Sequence, residues 1–184
     1  PRIYELAIAL ISHTEGRIDL QNTSGFVTAF QQSTTLTIGE LWAVPAMLRL
    51  GLIENVRRMA LRTVQRLDSL EAADAAVERI LAAREDDAAL DAALQDFVSK
   101  PPPLDAIFVA RFLQHLRAEG GANPTLRRLE EWVTDEAFGA EEATSRSTQR
   151  LALTQVAMAN SISSLRAVGR MGWKSFVESQ RRIE

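Results

Sequence analysis

Residues 36–53 read LTIGELWAVPAMLRLGLI, from Leu36 to Ile53, and this stretch decides the fold class. Thr37 and Glu40 stand three apart in the T-x-x-E spacing of a capping box, where each side chain accepts a hydrogen bond from the other residue's backbone N–H. Leu36 and Leu41 occupy the flanking hydrophobic-staple positions, so a helix is expected to start here. From Leu41 to Ile53 apolar residues fall on every side, the pattern of a helix buried on several faces. Pro45 lacks an N–H and is expected to bend that helix about one turn in. The 13-residue stretch contains Pro45, Arg49 and Gly51 and falls short of the roughly 20 residues that span a bilayer.

Past Glu54 the pattern becomes amphipathic, with Val56, Met59, Thr63 and Leu67 read as inward and Arg58, Arg62 and Arg66 as one outward stripe. Upstream, Ile3, Leu6, Ala7, Leu10 and Ile11 share one face of a first helix that Gly16 is expected to cap. A second helix is expected over 19–32, with Phe26 and Phe30 four apart. Residues 68–91 carry eight acids against Arg79 and Arg84. This Ala-rich run predicts two short helices, about 70–83 and 87–98, as a peripheral hairpin of high propensity and little bulk. Leu104, Ile107, Phe108, Phe112 and Leu116 mark the next helix, stopped by Gly120-Gly121. Asn123-Pro124 reads as an N-cap followed by Pro at the first helical position. A turn is expected at Phe138-Gly139, and then a long helix over 141–168 with Leu151, Gln155, Met158, Ile162 and Leu165 on one seam. Ala and Ser fill its other faces and let neighbours approach closely. Gly169 and Gly172 interrupt it before a short amphipathic helix begun by Trp173, Phe176 and Val177.

The fold class that follows is all-α: an irregular bundle of about seven to nine helices around a central Pro-kinked helix. The 184 residues suit one domain over 1–184, with Pro101–Pro103 as the place where a subdomain boundary would fall. A composition of 46% apolar and 24% charged residues supports a packed core and argues against disorder. The absence of Cys excludes disulfide scaffolds, thiolate metal sites and Cys nucleophiles. A net charge of −3 supplies no global attraction to nucleic acid or to an anionic membrane. The chain begins at Pro1 and ends at Glu184 within a helical pattern, and it is read as a piece of something longer.

Chemically suggestive groups are sparse. Glu85-Asp86-Asp87 could hold a metal and a sugar nucleotide, but acids at this position also suit the N-terminus of the following helix. His13 with Glu15 could form a general-base pair, or simply end a helix. His115 reads as a surface or cap residue. Arg57, Arg58, Arg62 and Arg66 could grip phosphates, yet the acidic run follows directly and no aromatic residues interleave. No phosphate-binding glycine loop or serine elbow occurs. Polar residues inside apolar stretches are more informative. Glu40, Glu54, Asn55, Arg57, Gln155, Asn160 and Arg166, with Trp42 and Trp173 as anchors, are expected to form a buried polar network or an intramolecular interface. No catalytic residue, cofactor or metal site is assigned, and no small-molecule ligand is expected.

Pro1-Arg-Ile-Tyr-Glu-Leu-Ala7 through Asp19, and Leu36-Thr-Ile-Gly-Glu-Leu-Trp-Ala43 through Arg58, resemble the region near the N-terminus of bacterial cyclic β-1,2-glucan synthases. Asn160-Ser-Ile-Ser-Ser-Leu-Arg166 and Trp173-Lys-Ser-Phe-Val-Glu178 resemble the end of the same region, while 68–145 adds no support. The resemblance implies a very large inner-membrane glycosyltransferase that polymerises glucose from UDP-glucose and closes the chains into rings. It places the transferase and a phosphorylase-like domain outside this segment. The reading that follows is a noncatalytic helical module on the cytoplasmic side of the inner membrane, whose partners are other domains of the same polypeptide. The alternatives are an enzyme that itself handles sugar nucleotide, and a free-standing interaction or nucleic-acid-binding module using the Arg57–Arg66 stripe.

Overall fold

A computed structural model of the chain describes residues 2–121, 123–137 and 140–181, with the side chains of 140–153 outside that description. Eight helices and no strand occur among the described residues: α1 (Arg2–His13), α2 (Leu20–Phe30), α3 (Ile38–Ala82), α4 (Asp87–Ser99), α5 (Ala106–Glu119), α6 (Pro124–Glu136), α7 (Ala140–Val168) and α8 (Trp173–Gln180). The fold is all-α, as the periodicity requires. The expected turn at Phe138-Gly139 and the side chain of Leu151 lie outside the described residues.

Local chemistry explains most helix ends. Asp19 and Asn22 form a capping box at the start of α2, and Asp86, Asp105 and Asn123 cap α4, α5 and α6. Pro124 takes the first position of α6. At the end of α1 the chain reverses through Glu15 and Gly16, both at positive φ (50° and 78°), and the Gly16 N–H donates to the Ile11 carbonyl at 2.8 Å.

The chain divides into two compact units. Unit 1 comprises residues 1–61 and 151–184, and unit 2 comprises residues 62–150. The Pro101–Pro103 stretch joins α4 to α5 inside unit 2. The division falls within α3 and α7, where no break in helical pattern marks it.

Unit 1 has its own core. Ile3, Leu6, Leu10 and Ile11 of α1, Val27 of α2, Leu41, Val44, Leu48 and Leu52 of α3, Val168 of α7 and Phe176 and Val177 of α8 are buried together. The α3 helix runs through Pro45, which forfeits only its own bond to the Leu41 carbonyl. The expectation that 41–53 is buried all round is corrected: Trp42, Leu50 and Ile53 are exposed. Farther along, Met59 is buried and Val56 half-buried, but Thr63 and Leu67, read as inward, are exposed. The inward face of α7 also differs from the expected seam. Ser161, Ser164 and Val168 are buried, Met158 and Leu165 half-buried, and Gln155 and Ile162 exposed. Small residues face inward because the α1–α2 turn passes too close for larger ones.

Unit 2 corrects the expected peripheral hairpin. No Gly or Pro occurs from Leu52 to Lys100, and α3 continues to Ala82 without the break expected near Asp68. Its Ala73, Ala76, Val77, Ile80 and Leu81 form a wall of the second core, facing Leu90 and Phe97 of α4, Phe108, Phe112 and Leu116 of α5, and Leu126, Leu129 and Val133 of α6. Phe97 stacks on Phe112, which stacks on Phe108, with ring centroids 5.1 and 5.6 Å apart. The bulk that the alanines lack comes from the facing aromatic rings.

Candidate functional site: polar junctions within each unit

The main junction of unit 1 forms where the turn after α1 meets α7. Ser161 is fully buried; its Oγ donates to the Ala157 carbonyl at 2.7 Å and accepts from Asn55 Nδ2 of α3 at 3.1 Å. One turn farther, Ser164 Oγ accepts the Ile18 backbone N–H at 2.8 Å. Asn160 Nδ2 donates to the Glu15 carbonyl at 3.2 Å. Ser164 satisfies the buried Ile18 N–H of the turn, which could not remain unpaired, and Asn160 holds the exposed Glu15 carbonyl. Gly16 sits against Ser161 so closely that a Cβ would overlap Ser161 Oγ and stand 3.0 Å from the Ala157 carbonyl oxygen.

The remaining expected network residues form separate pairs. Glu40 caps α3, accepting from Thr37 N at 2.8 Å, while its own N–H donates to Thr37 Oγ1 at 3.3 Å. The same carboxylate accepts from Arg2 Nε at 2.5 Å and Nη2 at 2.6 Å, tying the start of α1 to the start of α3. The Arg2 guanidinium, seconded by the Thr37 N–H, holds the Glu40 carboxyl down at about 2. Arg57 makes a bidentate pair with Glu54 on the surface of α3, at 2.8 and 2.7 Å, which lowers the Glu54 carboxyl below its ordinary value. Trp173 Nε1 donates to the Val168 carbonyl at 2.7 Å and its ring meets Phe176 edge-on, closing the turn from α7 to α8. Trp42 and Arg166 are exposed. Thus Asn55 and Asn160 converge on the Ser161 junction, and Glu40, the Glu54–Arg57 pair, Trp42, Arg166 and Trp173 stand elsewhere.

Two clusters were not legible as sites. In unit 1, Gln31 Nε2 donates to the Gln180 carbonyl at 3.0 Å, and Gln31 Oε1 accepts from Leu36 N at 3.2 Å. In unit 2, Arg111 holds Asp74 in a fork at 2.7 and 2.9 Å, and His115 lies between Asp74 and Glu119, with Nδ1 3.1 Å from one carboxylate and Nε2 3.2 Å from the other. The Arg111 guanidinium, with His115 behind it, lowers the Asp74 carboxyl. Arg111, His115 and Glu119 recur every fourth residue on α5, a spacing visible in the sequence, but the facing acid is supplied by the tertiary fold.

The remaining suggestive groups have local roles. Asp86 Oδ1 accepts from Ala88 N and Ala89 N at 2.9 and 3.3 Å as the cap of α4. His13 presents its ring to Phe26, with centroids 6.2 Å apart. Among the described residues no group of three His, Asp or Glu side chains is placed to hold a metal ion, and no helix is long and apolar enough to cross a membrane. The arrangement does connective chemistry: buried hydroxyls and amides clamp turns to helices.

No family model matches the chain. The chain is similar to the cyclic β-(1,2)-glucan synthase NdvB of Rhizobium meliloti (strain 1021), with 28% identity over 185 aligned residues. The match covers 100% of this chain, residues 68–145 included, and 6% of that synthase. The resemblance read from the two ends therefore extends along the whole chain, which is similar to a small segment of a much longer glucan synthase.

Proposed function

We propose that this chain is a noncatalytic helical module of a cyclic β-1,2-glucan synthase-like polypeptide, with a structural or regulatory role beside a transferase that lies outside it. One observation carries the reading: similarity along the entire length to a segment amounting to 6% of a glucan synthase. The character of the polar groups agrees with it. Ser161, Ser164, Asn55, Gln31 and Glu40 are committed to backbone groups or to neighbouring side chains, the work of a scaffold. In this reading the larger polypeptide works at the bacterial inner membrane, the module lies on the cytoplasmic side, and its partners are other domains of the same polypeptide.

The test is an antibody raised against this chain and used on fractionated cells of the source organism. A band many times the mass of the 184-residue chain in the inner-membrane fraction is expected; a soluble band at the chain's own mass overturns the reading. The noncatalytic part is tested separately by titrating the purified chain with UDP-glucose in a calorimeter. No saturable heat is expected, whereas saturable binding that weakens in Asp86→Asn and Asp87→Asn variants would make this segment a sugar-nucleotide site.

A further inference from the structure

The net charge of −3 divides unevenly between the units. Unit 1 carries ten Lys and Arg against seven Asp and Glu, whereas unit 2 carries eleven against seventeen. The basic excess of unit 1 gathers where α7 turns into α8. Arg166, Arg170 and Lys174 stand four residues apart there, and no Asp or Glu occurs from Ala143 to Val177. The tertiary fold adds a fourth cation. Arg49 of α3 lays its guanidinium beside the end of α7, with Nη2 2.8 Å from where a Cβ on Gly169 would stand, a place that glycine leaves open. The negative end of the α7 dipole favours a cation at that spot. All four side chains are exposed, and among the described residues none has a carboxylate within ion-pair distance; the pairs of unit 1 are Arg2–Glu40 and Arg57–Glu54.

Apolar side chains share this face. On α3, Trp42 (50% exposed), Arg49 and Ile53 (55%) fall within an arc about 40° wide, and on α7, Ile162 (40%), Arg166 and Gly169 fall within about 60°. The approach of Arg49 to Gly169 turns both arcs to the same side of the helix pair in unit 1. Cations that no carboxylate answers call for an anionic partner, and the fork of a guanidinium matches the oxygens of a phosphate. Trp and Ile side chains between them call for an apolar layer behind those phosphates. We propose that this face docks on an anionic phospholipid surface, with Arg49, Arg166, Arg170 and Lys174 at the lipid phosphates and Trp42, Ile53 and Ile162 at the boundary with the acyl chains. A nucleic acid or a free phosphate would also answer the charge, but each would leave the two isoleucines in water. Docking of this kind goes beyond the proposed function, and the two are tested separately: vesicle binding by the purified chain does not bear on the mass of the native polypeptide.

Cosedimentation of the 184-residue chain with sucrose-loaded vesicles tests it. Binding is expected on phosphatidylglycerol and not on phosphatidylcholine, and it should fall as added salt screens the charges. Tryptophan fluorescence is expected to shift to the blue on binding, and Trp42→Phe should abolish that shift. Each cation near an anionic surface strengthens binding about fivefold, so Arg166→Gln combined with Arg170→Gln is expected to weaken it about 25-fold, with an unchanged melting curve. Arg127→Gln combined with Arg128→Gln removes the same charge from exposed positions of unit 2 and is expected to leave binding unchanged. Inorganic phosphate at matched ionic strength is expected not to displace the chain from vesicles. Equal binding to both lipids, binding to neither, equal losses in the two double variants, a blue shift that is absent or survives Trp42→Phe, displacement by inorganic phosphate, or duplex DNA bound with the same dependence on Arg166 and Arg170 would overturn the proposal.

Discussion

Replacing Gly16 by Ala tests whether the turn after α1 is held by close approach to α7. Two costs add. The native φ of 78° is left-handed, which costs an L-residue with a Cβ about 1–2 kcal/mol. The new methyl would also overlap Ser161 Oγ, a hydroxyl fixed between Ala157 and Asn55, and crowd the Ala157 carbonyl oxygen and the Ser161 backbone nitrogen, 3.2 Å away. Overpacking at a site bounded by helix backbone costs typically about 1–3 kcal/mol, so a total loss of about 2–5 kcal/mol is expected. Gly121 separates the two costs. It also has a positive φ, 63°, but nothing lies within 4 Å of an added Cβ, so Gly121→Ala is expected to lose only the backbone share of about 1–2 kcal/mol. Urea unfolding by tryptophan fluorescence makes the comparison, with Trp42 and Trp173 reporting on unit 1 and Trp132 on unit 2. A Trp132→Phe background isolates the unit 1 signal. If Gly16→Ala loses no more than Gly121→Ala, the close approach does not constrain the turn and the argument fails.

Other substitutions test other joints. Gly25 lies in the middle of α2 with open space around it, so Gly25→Ala is expected to stabilise by about 0.5–1 kcal/mol; a loss in thermal melts would mean the α2 backbone is misplaced there. Leu48→Ala removes a fully buried side chain from the unit 1 core and is expected to cost about 2–5 kcal/mol in urea titrations. Thr37→Ala breaks the capping box of α3 and is expected to cost about 0.5–2 kcal/mol, with a neutral result excluding Thr37 as the cap. Glu40, held at about 2 against an ordinary 4.5, gives stability that is fully present above pH 4.5 and lost as pH falls toward 2. Because the Arg2–Glu40 pair is partly exposed and screened by solvent, that contribution is expected to be small. The stability gap between the native chain and Glu40→Gln should therefore close across that window; a gap independent of pH would contradict the pairing.

Sequence alone determined the local features. The Thr37–Glu40 capping box, the Gly16 reversal and the Asn123-Pro124 start are written in a few neighbouring residues, because caps and turns are satisfied within one helical turn. The all-α class followed from periodicity for the same reason. What each helix packs against was decided only by the tertiary structure. Leu48 and Leu50 are two residues apart in one apolar run, yet one is buried and the other half-exposed, and composition cannot say which face will find a partner. The Ala-rich end of α3 read as peripheral, because its own side chains lack bulk, until the rings of Phe97, Phe108 and Phe112 supplied it from other helices. Asn55 and Asn160 looked like two members of one network, but Asn55 bonds the buried Ser161 while Asn160 bonds the Glu15 carbonyl of a turn 145 residues earlier in the chain. Helix ends are set by short-range hydrogen bonding, whereas burial and partnership arise from contacts between distant segments that local pattern does not encode.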